Sequence, residues 1–191
     1  MRRLITASVM LAGVVFGGAA HSAAIISFQE TGGSVTGTLS GSLNLTGLNR
    51  SGPFTANNPF LWSQFGTLGL GPAGAQQDFI NAVLTGPASF GPGGLQYASS
   101  SSGDALYLGA FFGQLYVPTG FVSGSLSAII NFSAASFSSL GMTRGDYVYS
   151  IGTQDTVTVR VGQGSVPEPA SIALLGLGLA GIGYQRRRSA A

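Results

Sequence analysis

Residues 34–46 read SVTGTLSGSLNLT, and the apolar and polar positions alternate without a break. Val35, Leu39, Leu43 and Leu45 share one parity with Gly37 and Gly41, while Ser34, Thr36, Thr38, Ser40, Ser42, Asn44 and Thr46 hold the other. A period of two sends successive side chains to opposite faces of a pleated strand, so this stretch predicts an antiparallel strand, or a bent pair, with one wet face. Residues 155–161 repeat the rule, with Val157, Val159 and Val161 on one side and Thr156, Thr158 and Arg160 on the other. Between them, residues 105–117, 121–137 with a break, and 147–151 are rich in aromatic, Leu, Ile or Ser residues and are separated by Gly, Pro, Asp or Ser, as further strands would be. Residues 75–84 are ambiguous. Phe79, Ile80, Val83 and Leu84 fit one helix face, but the run is short and Gly86-Pro87 stops it, which tips the reading toward strand. Loops are predicted at 48–59, 69–74 and 91–94 from their Gly, Pro and Asn content, and SSSSG at 99–103 reads as a turn or flexible tip. Short strands with a turn signal every dozen residues predict an all-β fold, an antiparallel sandwich of jelly-roll-like or related form.

Composition narrows the class. Charged residues make up only 7% of the 191 positions, against roughly a quarter in ordinary globular chains. All eight basic residues are arginines, and Arg2, Arg3, Arg186, Arg187 and Arg188 sit at the two ends. The body, 25–165, retains Arg50, Arg144 and Arg160 against Glu30, Asp78, Asp104, Asp146 and Asp155, a net of −2. No basic patch remains there for nucleic acid. With no cysteine the chain cannot be stapled by disulfides, so burial and sheet hydrogen bonds must hold it together.

The two ends read as addresses. Residues 1–24 have a basic start at Arg2-Arg3, an apolar stretch from Leu4 to Phe16, and small residues before a cut after Ala24, the pattern of a secretory signal; a cut after Ser22 is the alternative. The lone His21 falls inside that segment. A buried N-terminal helix is the competing reading, but no capping residue or polar face accompanies the run. Nor does the sequence after Arg2-Arg3 continue a twin-arginine pattern. At the other end, residues 170–184 form an uncharged, mostly apolar run, which as a helix spans roughly 22 Å, short of the ~30 Å hydrocarbon core. Tyr184 at headgroup level and the arginines of the 185–191 tail would extend its reach and mark the cytoplasmic side. Ahead of it, Pro167 and Pro169 fix φ and lack amide donors, so 166–169 should stay an extended strip that joins neither sheet nor helix. Such a strip would present the Glu168 carboxylate just above the membrane.

Pro167-Glu168-Pro169, a Gly- and Leu-rich apolar segment and Arg186-Arg187-Arg188, in this order, resemble the PEP-CTERM sorting signal of Gram-negative bacteria, over residues 166–191. The resemblance implies recognition by exosortase, a membrane-embedded, transpeptidase-like processing enzyme, and an association with exopolysaccharide, biofilm or floc. An ordinary membrane anchor would explain the apolar run and the arginines but not Pro-Glu-Pro. Segments of 85–161, among them Thr85 to Gly91 and Gly145 to Tyr149, are similar to the bodies that precede such signals, which supports a β-fold and supplies no activity. The expected route is export, transient anchoring in the inner membrane with the body in the periplasm, then the outer surface or matrix.

The body offers little chemistry. Its five acids are scattered from 30 to 155, which argues against the paired carboxylates of sugar hydrolysis, and it lacks the His and Cys of nucleophilic or zinc sites. No stretch resembles an acid-dense calcium loop. Gly176 to Gly181 matches G-x-G-x-x-G, yet too few residues follow to complete a βαβ unit. Asn44, Asn49 and Asn131 head formal N-x-[ST] triplets and read as ordinary loop or strand asparagines. Trp62, with Tyr97, Tyr107, Tyr116, Tyr147 and Tyr149, could stack against a polysaccharide, with core packing the competing role for most of them. The expectation is a non-enzymatic exported protein without cofactor or metal, structural or adhesive in an extracellular matrix, with exosortase and candidate exopolysaccharide as partners. The alternatives are a secreted carbohydrate-binding module, less favourably a glycan hydrolase, and a tail-anchored protein that is never cut.

Overall fold

The computed structural model describes residues 23–162. Nearly all of the expected export signal, the Pro167-Glu168-Pro169 strip, the apolar run and Arg186 to Arg188 lie outside those residues. Two seven-stranded sheets dominate. Numbering strands in chain order, the first sheet runs β10 (Ser100–Gly103), β14 (Ala128–Phe132), β2 (Ser34–Ser40), β1 (Ala23–Thr31), β16 (Asp155–Val161), β15 (Gly145–Ile151), β8 (Leu84–Thr85). The second runs β4 (Arg50–Thr55), β7 (Gln76–Ile80), β12 (Gln114–Pro118), β11 (Leu106–Gly109), β6 (Thr67–Leu70), β5 (Phe60–Trp62), β9 (Leu95–Tyr97). A small pair, β3 (Ser42–Asn44) with β13 (Ser123–Ser125), stands apart. Among the described residues no α-helix occurs, and no helix is long and apolar enough to cross a membrane.

The alternating stretches fold as their period requires. Val35, Leu39, Leu43 and Leu45 are all fully buried, and so are Val157, Val159 and Val161. Each such aliphatic side chain removed from water contributes about 1.5–3 kcal/mol. The thirteen-residue run is a bent pair, β2 then β3, and the bend falls at Gly41. There φ is +104°, and a Cβ would collide with the carbonyl oxygen of Ala23, so only glycine fits. Gly37 occupies the buried parity between Phe28 and Ile130, whose side chains fill the space that its missing side chain leaves. The inner faces of both sheets meet in one core that joins Ile26, Phe28 and Val159 to Leu61, Leu68, Leu106 and Leu108.

Four expectations need correction. The predicted loop at 48–59 contains β4, although Gly52-Pro53 interrupts it; the register against β7 shifts between Ser51 and Phe54, and β4 is an edge strand, where a bulge and a missing donor break no second ladder. The serine run is not a loose tip but edge strand β10, laddered onto β14 from Ser100↔Asn131 to Gly103↔Ala128. Gly69 and Leu70, read as loop, close strand β6. The ambiguous segment is strand, β7 followed by β8. The sandwich is also not wholly antiparallel: β1 and β16 pair in parallel, Ala23↔Thr156 through Phe28↔Val161. Ala23 and Val161 therefore lie at opposite ends of that strand pair.

Candidate functional site

Strand parity places the site. In β5, Leu61 is buried while Phe60 and Trp62 point outward; in β11, Leu106 and Leu108 are buried while Tyr107 points outward; β12 repeats this with Leu115 and Val117 inside and Tyr116 outside. The cross-strand register then aligns these outward positions into one row across the second sheet: Phe79↔Tyr116, Tyr116↔Tyr107, Tyr107↔Gly69, Gly69↔Phe60, Phe60↔Tyr97. Phe54 joins the row from β4, its ring edge-on to Tyr116 at 5.6 Å. Neighbouring rings touch along the way, Phe79–Tyr116 at 5.2 Å, Tyr107–Tyr116 at 5.2 Å and Phe60–Tyr107 at 6.0 Å. Such edge-to-face and tilted pairs are the favoured aromatic geometries.

Two glycines shape the row. A Cβ on Gly69 would stand 3.1 Å from Cε1 of Phe60, and one on Gly109 would stand 2.6 Å from Cε1 of Tyr107. Each ring thus leans over a position with no side chain. The rings and the 55–58 loop enclose a hollow of about 250 Å³, lined among others by Phe54, Asn57, Asn58, Phe60, Tyr107 and Tyr116. A second hollow of about 350 Å³ shares Asn57, Asn58 and Phe60 and continues to Trp62, Leu95 and Tyr97. Among the described residues, none that lines either hollow carries a charge. Burial, and then the neighbouring Tyr116 phenol, raise the Tyr107 phenol above its ordinary value, so it stays neutral and able both to donate and to accept.

Trp62, singled out as a glycan contact, lies in this groove, its ring packed edge-on against Phe65 at 4.6 Å. Tyr97, Tyr107 and Tyr116 share the same face. Tyr149 does not: it is fully buried in the core against Phe90. Tyr147 is half-buried, its hydroxyl donating to the carbonyl oxygen of Thr143 (2.8 Å) with that of Phe90 also in reach (3.2 Å). Sequence reasoning missed Phe54, Phe60, Asn57 and Asn58. The outward parity of Phe60 and Trp62 about Leu61 was the available signal.

The five acids of the body are committed to the scaffold. Glu30 accepts from the Phe137 amide (2.7 Å), Asp78 from Gly120 (2.8 Å), Asp104 from Ser127 (2.8 Å) and Asp155 from Asn44 and Thr156 (both 2.8 Å). Asp104 serves an amide 23 residues away rather than one in its own turn. Asp146 pairs across strands with Arg160 at 3.2 Å, and Asp78 and Asp155 are buried. The arginines are equally occupied, Arg50 on the carbonyl of Phe121 (2.7 Å) and Arg144 over the Phe137 ring (5.2 Å). Among the described residues no group of three or more His, Cys, Asp or Glu side chains is placed to hold a metal ion. Asn44 and Asn131 lie in strands, the latter accepting from the Thr36 hydroxyl at 2.8 Å.

Ala24, the expected signal cut, is the second residue of β1, fully buried and paired with Val157. The sorting residues Pro167, Glu168, Pro169, Arg186, Arg187 and Arg188 lie beyond the described part. There, residues 165–188 match the family model described as the PEP-CTERM protein-sorting motif. The chain matches no curated protein and no solved structure.

Proposed function

Because the chain carries the PEP-CTERM sorting motif and is thereby an exosortase target, we propose that it is an exported surface or matrix protein, released after its C-terminal signal is processed, whose sandwich adheres to exopolysaccharide. The observation that carries this reading is the aromatic row on the second sheet, a face of contiguous outward rings edged with amides. Aromatic rings supply large apolar area at low conformational cost, and a phenol adds a polar tip, which suits them to the mixed apolar and hydroxylated faces of sugars. Commitment of every body acid to an amide or an ion pair supports adhesion rather than hydrolysis, since a general acid must be free to give up its proton.

The test has two parts. Mass spectrometry of protein recovered outside the cell should show a C-terminus upstream of Arg186; intact protein retaining Arg186 to Arg188 would mean permanent anchoring. Sedimentation with the cells' own purified exopolysaccharide should carry the wild-type protein down and leave a Phe60→Ala/Tyr107→Ala variant in solution. Turnover of that polymer would favour the hydrolase instead.

A further inference from the structure

We infer that the row Tyr116, Tyr107, Phe60 and Tyr97 is a platform for the interior of an uncharged polysaccharide chain, a ligand class that rests on the adhesion reading above and specifies it. Three observations converge. First, the row crosses the sheet from edge to edge. Phe79 to Tyr97 covers five strand intervals, about 24 Å at ~4.8 Å per interval, and β9 at one end is an edge strand while Phe54 continues the row to edge strand β4 at the other. Among the described residues both ends of the row fall on edge strands, so a polymer can pass through rather than being held by its terminus. Tyr97 and Phe54 remain 63% and 46% exposed at the two ends.

Second, Gly69 and Gly109 leave room for Phe60 and Tyr107 to lean down over the sheet. A ring over a glycine turns its face outward, as Phe60 and Tyr107 do, while Tyr116, at 85° to the Tyr107 ring, stands edge-on beside them. The outward face is what stacks on the axial C–H groups of a sugar.

Third, the surroundings are polar but neutral. Among the described residues none exchanges a hydrogen bond with the side-chain amides of Asn57, Asn58 or Gln114, which line the hollow beside the rings. These amides both donate and accept, matching sugar hydroxyls. With no cationic side chain among the described residues that line either hollow, a uronate, sulfated sugar or phosphate backbone would be desolvated there without a counter-charge. The absence of arginine and lysine separates this face from a single-stranded nucleic-acid platform, which combines rings with a positive groove.

Affinity electrophoresis of the exported protein tests this, in gels cast with neutral polymers (galactomannan, xyloglucan, dextran), acidic ones (alginate, polygalacturonate) and the producing cells' exopolysaccharide split into neutral and acidic fractions. Retardation should occur with neutral polymer or the neutral fraction and persist at about 0.5 M salt, where ionic attraction is screened. Competing oligosaccharides should gain potency up to about five sugar units, one per strand interval, and then level off. Phe60→Ala and Tyr107→Ala should each weaken binding about tenfold. Gly69→Val should weaken it by displacing the Phe60 ring, and Asn57→Ala/Asn58→Ala, which leaves the core untouched, should weaken it with an unchanged circular-dichroism spectrum. Retardation by acidic polymers alone, lost in salt, would overturn the neutral-ligand inference while leaving adhesion standing. Retardation by none of the gels would remove both. Neutral binding that survives Phe60→Ala/Tyr107→Ala would place the site elsewhere and overturn the inference.

Discussion

Tyr149→Phe should make the protein more stable, and more so in alkali. The Tyr149 ring is fully buried, edge-on to Phe90 at 6.1 Å, and so close to Gly86 that a Cβ there would collide with Cδ1. Its hydroxyl is buried and finds no hydrogen-bond partner among the described residues. A buried hydroxyl left unsatisfied costs about 1–3 kcal/mol, and removing its oxygen leaves a void worth at most about 1 kcal/mol. The net gain at pH 7 is therefore about 1 kcal/mol, or roughly 2–4 °C in Tm. Burial also raises the phenol well above the ordinary tyrosine range. The folded chain keeps this proton while the unfolded chain releases it near pH 10, so the stabilising contribution is complete below pH 10 and is lost as pH rises further. At pH 11 the wild type loses about 1.4 kcal/mol on this account and the variant loses none of it. Urea unfolding of both proteins at pH 7 and pH 11 measures the two gaps. A variant destabilised by more than about 1 kcal/mol at pH 7 would mean that the hydroxyl is well bonded, and a gap that does not widen at pH 11 would refute the titration argument.

Further tests reach other parts of the chain. Gly37→Val would set a Cβ 2.6 Å from Cε1 of Phe28 and 2.7 Å from Cγ2 of Ile130, and overpacking of this kind should cost about 1–3 kcal/mol in chemical unfolding; an unchanged midpoint would show that Phe28 and Ile130 can move aside without cost. Because Ala23 and Ala24 form the first rungs against Thr156 and Val157, the mature N-terminus should be Ala23, the product of a cut after Ser22. N-terminal sequencing that begins at Ile25 would show that those rungs are dispensable. Glu168→Gln should leave the thermal transition of the body unchanged and cause unprocessed protein to accumulate on immunoblots, whereas normal processing would argue against recognition of the carboxylate. Asp155→Ala strips the acceptor from the amides of Asn44 and Thr156 and should lower stability by about 1–3 kcal/mol, read by thermal unfolding; no loss would mean that water replaces the carboxylate.

Local pattern alone settled a good deal. The alternation through Val35 to Leu45 and Val157 to Val161 set the existence of each strand and its buried face, because a period of two leaves one side for the core whatever the partner strand. The sorting signal was legible for a similar reason: Pro-Glu-Pro, the apolar run and the arginines act through composition and order along the chain, with no need of distant contacts. The strands hidden in residues 50–55 and 100–103 were not legible, since their ladders come from Gln76 to Ile80 and from Ala128 to Asn131, far away in sequence, and serine, glycine and proline carry little strand preference of their own. The same limit separated the tyrosines. By residue type Tyr149 and Tyr107 are alike, yet one closes the core and the other faces solvent over Gly109. Pairing register decided that difference: side-chain direction is local, but which outward positions line up across six strands depends on how hairpins and crossovers bring them together. The chain's own letters thus fixed its delivery and its strand faces, while the aromatic row exists only once Tyr97, Phe60, Tyr107 and Tyr116 are drawn into one line by the folded sheet.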